Sequence, residues 1–196
     1  MPLAFPSHQG LILPIRRRFP ERIDGVALCV GAAMPDLVDA LAWPMRGELG
    51  QWLGHSLLGV VGCVPAGLAL AWLARRAIPG KAVSLLDEGA PAFPGCARAG
   101  LSVAMGALSH VALDLITHGN FLLFWPWYRD DHAFPAWWYH AWGSIPLPVY
   151  REPYPLAPHT IAWITLTILG AVLFVRCLRK PCRRSGRDGP FTPPLR

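Results

Sequence analysis

The residues best suited to chemistry lie in one apolar stretch in the second half of the chain. His110, Asp114 and His118 follow one another at intervals of four. In an α-helix four residues turn by about 400°, so the three side chains form one stripe that drifts by only about 40° per step. Imidazole nitrogen and carboxylate oxygen are ligands that zinc and similar divalent ions take in open catalytic sites. The spacing therefore indicates a metal site on one face of a helix.

The same stripe has a structural alternative. Polar side chains in an apolar helix can also hydrogen-bond to neighbouring helices and hold a bundle together. A single histidine would favour that role. Because ionisable groups inside a membrane are costly and usually functional, three in register favour metal or proton chemistry.

Two short motifs supply further candidate ligands on other helices. Asp36 follows Pro35, which frees a backbone carbonyl and can kink its helix so that the carboxylate faces inward. His55 stands in Gly54-His55-Ser56 at the expected start of a helix, where Ser56 can cap a free backbone N–H. Taken alone, each motif also has an ordinary structural explanation, as a kink or a cap.

The composition places these residues in a membrane. Hydrophobic residues make up 53% of the chain and charged residues 15%, well below the roughly one quarter that is typical of soluble domains. Each of four apolar stretches is close to the roughly 20 residues that a helix needs to cross the hydrocarbon core. They are residues 23–43, 52–73, 99–116 and 160–178. The first is interrupted by a proline and three aspartates, and one interpretation is a core helix that the other three shield from lipid.

These stretches predict an all-α fold, an integral membrane bundle of about four transmembrane helices. We expect a single helical domain over residues 1–182, followed at 183–196 by a basic tail rich in proline and glycine that is disordered. The five cysteines are scattered without a C-x-x-C pair, so neither a disulfide framework nor a zinc finger is indicated.

The positions of lysine and arginine predict the orientation of the helices. With both termini cytoplasmic, fifteen of the 18 basic residues fall on the inner side, and the outer side holds Arg46, Arg129 and Arg151. This matches the usual excess of positive charge in cytoplasmic loops. The net charge of +6 is explained by these loops, which have no aromatic stacking platform between them. We therefore expect the lipid bilayer as partner and no nucleic acid.

A segment rich in tryptophan and tyrosine separates the last two apolar stretches. Residues 119–159 hold five tryptophans and four tyrosines, which suit the membrane–water interface because they combine an apolar ring with a polar edge. We expect this segment to form an outer cap over the helix ends.

The predicted orientation also brings the candidate ligands to one level. His118 lies at the outer face and His110 about 12 Å below it, at a rise of about 1.5 Å per residue. Asp36 lies about 10 Å below the same face on that rise, and His55 near it. His8 reaches this level only if residues 3–15 dip into the bundle as a re-entrant segment shielded by protein.

Together these motifs resemble the membrane-bound metal-dependent hydrolase group and related small bacterial membrane proteins of unknown function. The resemblance covers roughly residues 1–150 and includes Phe124-Trp125-Pro126-Trp127 after the third stretch. The motifs that carry it are Ser7-His8, Pro35-Asp36, Gly54-His55-Ser56, His110-x-x-x-Asp114 and Thr117-His118-Gly119. The group's aspartate–histidine pair after Pro-Asp is absent here, which leaves Asp39 as the only substitute.

The resemblance implies a bacterial inner-membrane protein that binds a divalent metal such as zinc. The residues that it assigns as ligands are His8, Asp36, His55, His110, Asp114 and His118. Asp36 and Asp114 are the candidate catalytic carboxylates, one as ligand and one as general base. The leading hypothesis is a hydrolase whose substrate class stays open, lipid-linked compounds included. The alternative is a non-catalytic membrane protein, a transporter, proton relay or assembly factor. The sequence leaves the oligomeric state open.

Overall fold

The computed structural model describes residues 6–42, 53–80, 83, 86, 95–117, 123–125, 127, 134–146 and 152–179. Within these ranges the chain is mostly helical. The helices are α1 (Ser7–Arg18), α2 (Gly25–Gly31), α3 (Met34–Ala42), α4 (Leu57–Ala77), α5 (Cys96–Thr117), α6 (Ala136–Tyr139) and α7 (Pro158–Arg179), and two short strands are β1 (Gly143–Ile145) and β2 (Tyr154–Leu156).

Four helical stretches in these ranges are long and apolar enough to cross a membrane. They are Gly25–Ala42, Leu57–Ala77, Cys96–Thr117 and Pro158–Arg179. The predicted helical membrane bundle is therefore confirmed, with boundaries that differ from the sequence prediction by a few residues. The structure adds one antiparallel pair of strands, β1 with β2, in the segment before α7.

The first membrane stretch is broken in the middle rather than continuous. α2 ends at Gly31 and α3 begins at Met34, and Ala32 and Ala33 form a turn between them. Pro35 stands in the first turn of α3, where its missing N–H costs no hydrogen bond, whereas in a continuous helix its ring would clash with the preceding turn. Broken helices at membrane depth are tolerated where protein surrounds the freed backbone groups.

α1 is a half-length helix that runs in the same direction as α7. The Ser7 hydroxyl donates to the carbonyl of Thr167 at 3.0 Å, and the Arg17 guanidinium donates to the carbonyl of Cys177 at 2.8 Å. Since Thr167 lies nine residues after Pro158, the first residue of α7, α1 begins about 14 Å along that helix from its N-terminal end. Twelve residues span only about 18 Å, which is shorter than the hydrocarbon core of about 30 Å. α1 therefore dips into the bundle as the re-entrant placement of His8 requires.

Two glycines allow α1 and α7 to approach closely. A Cβ at Gly10 would collide with the carbonyl of Gly170, and a Cβ at Gly170 would collide with the backbone of Ser7. Small residues of this kind let membrane helices pack backbone to backbone. The contact fixes the start of α1, and with it His8, against the bundle.

The core lies around α5, which contacts α1, α2, α3, α4 and α7. Val103 and Ala107 on α5 are fully buried, and Met34, Val60 and Cys63 pack against the same helix. Four of the cysteines lie in the described ranges, and all four are free thiols.

An inner ion pair joins α2 to α4 at the end of the bundle opposite the aromatic segment. A guanidinium nitrogen of Arg75 lies 2.6 Å from Asp24 Oδ1, and the same carboxylate caps α2 by accepting from Ala27 N at 2.9 Å. Arg98 on α5 donates to the carbonyls of Pro20 and Ile23 beside it. Arg75, Arg76, Arg98, Arg176 and Arg179 therefore all lie toward one end of the bundle. The assignment of that end and of both termini to the cytoplasm stays a prediction.

The aromatic segment is attached to the bundle, but several of its tryptophan side chains are exposed. Trp138 donates from its indole N–H to the carbonyl of Ile116 at 2.8 Å, which attaches the segment to the end of α5. Trp127, Trp137 and Trp142 are 81%, 61% and 65% exposed. Their rings are available to the membrane–water interface. The predicted tail at 183–196 lies outside the described residues.

Candidate metal centre

Four side chains from α3, from α5 and from the turn before α4 meet in the half of the bundle nearer the aromatic segment. We call Asp36, His55, His110 and Asp114 the His/Asp centre. The ring nitrogen or carboxylate oxygen that each offers lies within 4.8 Å of every other one. Asp36 comes from α3, His55 from the turn before α4, and the other two from successive turns of α5.

The separations within the centre match those between the ligands of a tetrahedral ion. His55 Nε2 lies 3.1 Å from His110 Nε2 and 3.1 Å from Asp114 Oδ2. His110 Nε2 lies 3.4 Å from Asp114 Oδ2 and 3.4 Å from Asp36 Oδ1, and His55 Nε2 lies 3.7 Å from that same Asp36 oxygen. Ligands about 2.0–2.1 Å from a tetrahedral zinc ion are about 3.3 Å apart. The donor set therefore fits such an ion in chemistry and in spacing.

Both imidazoles are oriented through their other ring nitrogen. His55 Nδ1 lies 2.7 Å from Asp39 Oδ2, and His110 Nδ1 lies 2.7 Å from the carbonyl oxygen of Ala32. A carbonyl can only accept, so the proton of neutral His110 sits on Nδ1. Asp39 selects the same tautomer for His55. Metal-binding histidines are held in this way by a carboxylate or a backbone carbonyl.

The break between α2 and α3 supplies the second of these acceptors. In a continuous helix the Ala32 carbonyl would accept from the amide of residue 36, but here it accepts from the imidazole. The break between the helices therefore has two effects on the centre. It frees the carbonyl that orients His110, and it starts α3 at a position from which Asp36 faces the cluster.

His55 is fixed by the turn that precedes α4. Ser56 caps α4 by accepting from Gly59 N at 2.9 Å, and its hydroxyl donates to the Leu53 carbonyl. Gly54 donates its N–H to Asp39 Oδ1 at 2.6 Å, which ties the turn to α3. The expected capping role of Ser56 is confirmed, and it coexists with the placement of His55 in the centre.

Burial differs sharply across the centre. The side chains of His55, His110 and Asp114 are 3%, 0% and 1% exposed, whereas that of Asp36 is 40% exposed. Burial alone lowers the pKa of His55, but its hydrogen bonds to Asp114 and Asp39 outweigh this and hold that pKa above its usual value. The centre is therefore closed on three sides and open at Asp36.

His8 lies beside the centre. Its ring stacks on that of His110 with centroids 3.8 Å apart, and its Nε2 is 3.4 Å from Asp114 Oδ1. That distance is longer than a good hydrogen bond. Asp114 thus presents one oxygen to His55 and His110 and the other to His8.

The sequence matches the YdjM inner membrane protein family over residues 8–181. The chain belongs to this family. The match covers most of the chain and includes all four residues of the His/Asp centre. Together with the four apolar helices it places the protein in an inner membrane, in the lipid bilayer. No curated protein and no solved structure matches the chain.

In this member of the YdjM family, the structure brings together four of the six ligands that were predicted from the sequence. Asp36, His55, His110 and Asp114 form the centre, and His8 adjoins it. His118 lies outside the described residues, so its place in the predicted stripe stays a prediction. The family match does not extend to the hydrolase activity that the motifs imply.

Two groups that orient the centre lie outside the predicted ligand set, and of these only Asp39 had been singled out, as the substitute for the missing aspartate–histidine pair. Asp39 follows Asp36 by three residues, a spacing that puts both carboxylates on neighbouring positions of one helix face. That spacing was the available signal. The Ala32 carbonyl is a backbone group that side-chain motifs do not reveal, and Pro35 indicated only that a carbonyl near it would lose its donor.

Proposed function

We propose that this protein is a metal-dependent hydrolase of the inner membrane, with its divalent ion held by Asp36, His55, His110 and Asp114. One observation carries the proposal: two imidazole nitrogens lie 3.1 Å apart while the other nitrogen of each ring faces an acceptor.

The tautomers explain why this geometry calls for a cation. If Nδ1 of each neutral ring carries the proton, both Nε2 atoms present lone pairs to one another and to Asp114 Oδ2. Buried electron-rich atoms at this distance repel each other unless a positive charge lies among them. A divalent ion satisfies all four ligands at once.

With a water as fifth ligand beside the four side chains, the ion would supply Lewis acidity and bring the pKa of that water close to neutral. Asp114 is buried and faces both imidazoles, which suits a permanent ligand. Asp36 is the one exposed member, so its free oxygen can accept a proton from an incoming water as general base. Asp39 acts through His55 and holds it in the binding tautomer.

A proton relay is the second candidate. A proton shared between His55 and His110 also accounts for their separation of 3.1 Å, which is within the range of a hydrogen bond. Such a centre would serve a transporter or an assembly factor, and it would need no metal.

Chelation separates the two candidates. Full-length protein, purified in detergent without a histidine tag, is assayed against ester and phosphoester substrates before and after chelation and after zinc or cobalt is restored. The hydrolase proposal predicts turnover that chelation abolishes and metal restores, and that Asp36→Asn greatly reduces. Stoichiometric metal with no turnover on any substrate would favour a non-catalytic metal protein, and no metal at all would favour the relay.

A further inference from the structure

The opening of the His/Asp centre lies on the side of α3. Of the four side chains in the centre, only that of Asp36 is substantially exposed, at 40% against 3% or less for the others. α3 turns by about 100° per residue, which places Ala40 almost directly over Asp36, one turn toward the outer end. Ala40 therefore stands beside this opening.

The helix face beside this opening is apolar and exposed. Ala40 is exposed, and Leu37 and Leu41 are 38% and 71% exposed. These residues form the outer part of the stretch Gly25–Ala42, which is apolar enough to cross a membrane. An exposed apolar face on such a stretch contacts lipid. The opening at Asp36 therefore borders the bilayer.

The route from the aqueous outer end is closed in the described part of the chain. Ser56 and Thr117, which stand at the outer ends of α4 and α5, are 0% and 4% exposed. The carbonyl of Leu123 accepts from Leu57 N at 2.9 Å, so Leu123 is bound at the start of α4. On the remaining side His8 stacks on His110 and is 2% exposed.

We infer that the centre opens sideways into the outer leaflet and that its substrate is an amphiphile whose ester or phosphoester bond lies at its headgroup. This inference rests on the proposed hydrolase function. Asp36 lies six residues before the end of α3, about 9 Å below that end along the helix, so the headgroup would enter the opening to that depth. The headgroup would meet Asp36 and the ion, and the acyl chain would lie along Leu37 and Leu41. A water-soluble substrate of the same chemistry has no such apolar contact.

Cobalt loaded into the full-length protein reports access to the centre without any need for turnover. The probes are dodecyl phosphate and inorganic phosphate, titrated against the visible absorption bands of bound cobalt in one detergent. Ala40→Trp fills the space beside Asp36. Ala69→Trp is the matched control, because Ala69 is also an exposed alanine on an apolar helix, α4.

For Ala40→Trp we expect the concentration of dodecyl phosphate that shifts the bands to rise about tenfold, the scale on which a pocket rejects misfitting apolar groups. The response to inorganic phosphate should stay unchanged, and Ala69→Trp should match the parent with both probes. Dodecyl phosphate enters the detergent micelles equally in all three proteins, so a difference between variants reports the site. Equal responses of Ala40→Trp and Ala69→Trp, with cobalt bound, would overturn the lateral opening alone. A parent protein that binds no cobalt would overturn the hydrolase proposal itself.

Discussion

Two clusters of acidic and basic side chains in the described part of the bundle differ in where their positive charge comes from. At the inner end, Asp24 on α2 meets Arg75 on α4 at 2.6 Å, so the chain supplies both charges of the inner ion pair. In the His/Asp centre, two carboxylates and two imidazoles from α3, α5 and the start of α4 face one another. The contacts described above for the centre are made by carboxylates, imidazoles and one backbone carbonyl.

This difference separates a structural cluster from a functional one. Asp24 caps a helix and binds a guanidinium that is permanently charged, which leaves no role for an exchangeable ion. The imidazoles of the centre can bind either a metal or a proton through Nε2. The Nδ1 atom of each ring faces a fixed acceptor, which orients the ring. Burial and polarity are shared by both clusters, so neither property alone identifies a site.

Removal of a ligand should give the largest effect and should act on the centre only. His110→Ala and Asp114→Asn are each expected to reduce bound metal from about one ion per chain to below about a tenth, because a lost ligand weakens binding directly. Elemental analysis after gel filtration measures this. The double variant Asp24→Leu with Arg75→Met removes both charges of the inner ion pair together, so it is the matched control and should keep its metal. Loss of metal from this double variant would show that the two clusters are not distinct.

Breaking the inner ion pair should instead act on stability. Asp24→Ala leaves the buried Arg75 without its carboxylate and should lower the free energy of unfolding by about 3–5 kcal/mol. Thermal unfolding in detergent tests this, with metal content measured in parallel. The double variant Asp24→Leu with Arg75→Met should recover most of the loss. An unchanged unfolding temperature for Asp24→Ala would show that this pair does not hold the bundle.

Asp39 should affect metal affinity without being a ligand. Asp39→Asn weakens the acceptor that orients His55 and is expected to lower the affinity for zinc about 10- to 100-fold, the range for such supporting groups. Titration with zinc measures the change. Glu21→Gln removes an equal charge from an exposed position near the inner end and should leave affinity unchanged. If both variants bind zinc like the parent, His55 does not depend on Asp39.

The contact of α1 with α7 should give the smallest effect. A Cβ at Gly170 meets the backbone of Ser7, so Gly170→Ala should displace α1 and cost about 1–3 kcal/mol of stability. Gly62→Ala is the control, because a Cβ there meets nothing within 4 Å and alanine favours a helix. Thermal unfolding of the two variants should therefore move in opposite directions. Equal shifts would mean that α1 is not packed against α7 as closely as described.

The sequence predicted the parts of the fold and centre that depend on composition and local spacing. Four long apolar stretches gave four membrane helices, and the interval of four between His110 and Asp114 put both on one face of α5. The short helix α1 was predicted only as the condition under which His8 could reach the centre. Its twelve residues end in three arginines, so their composition does not indicate a membrane-spanning helix. The contact of Asp39 with His55 depends on how the turn at residues 53–56 packs against α3, which local patterns do not encode.

The metal content of the unmutated protein tests the central claim most directly. Full-length chain, purified without a histidine tag and without chelator, is analysed for zinc, manganese, iron, cobalt and nickel. The His/Asp centre predicts one of these ions at about one per chain, as expected for a single set of four ligands. A protein that is folded and inserted but carries none of them, and that binds none when they are added, would contradict the metal centre and the hydrolase together.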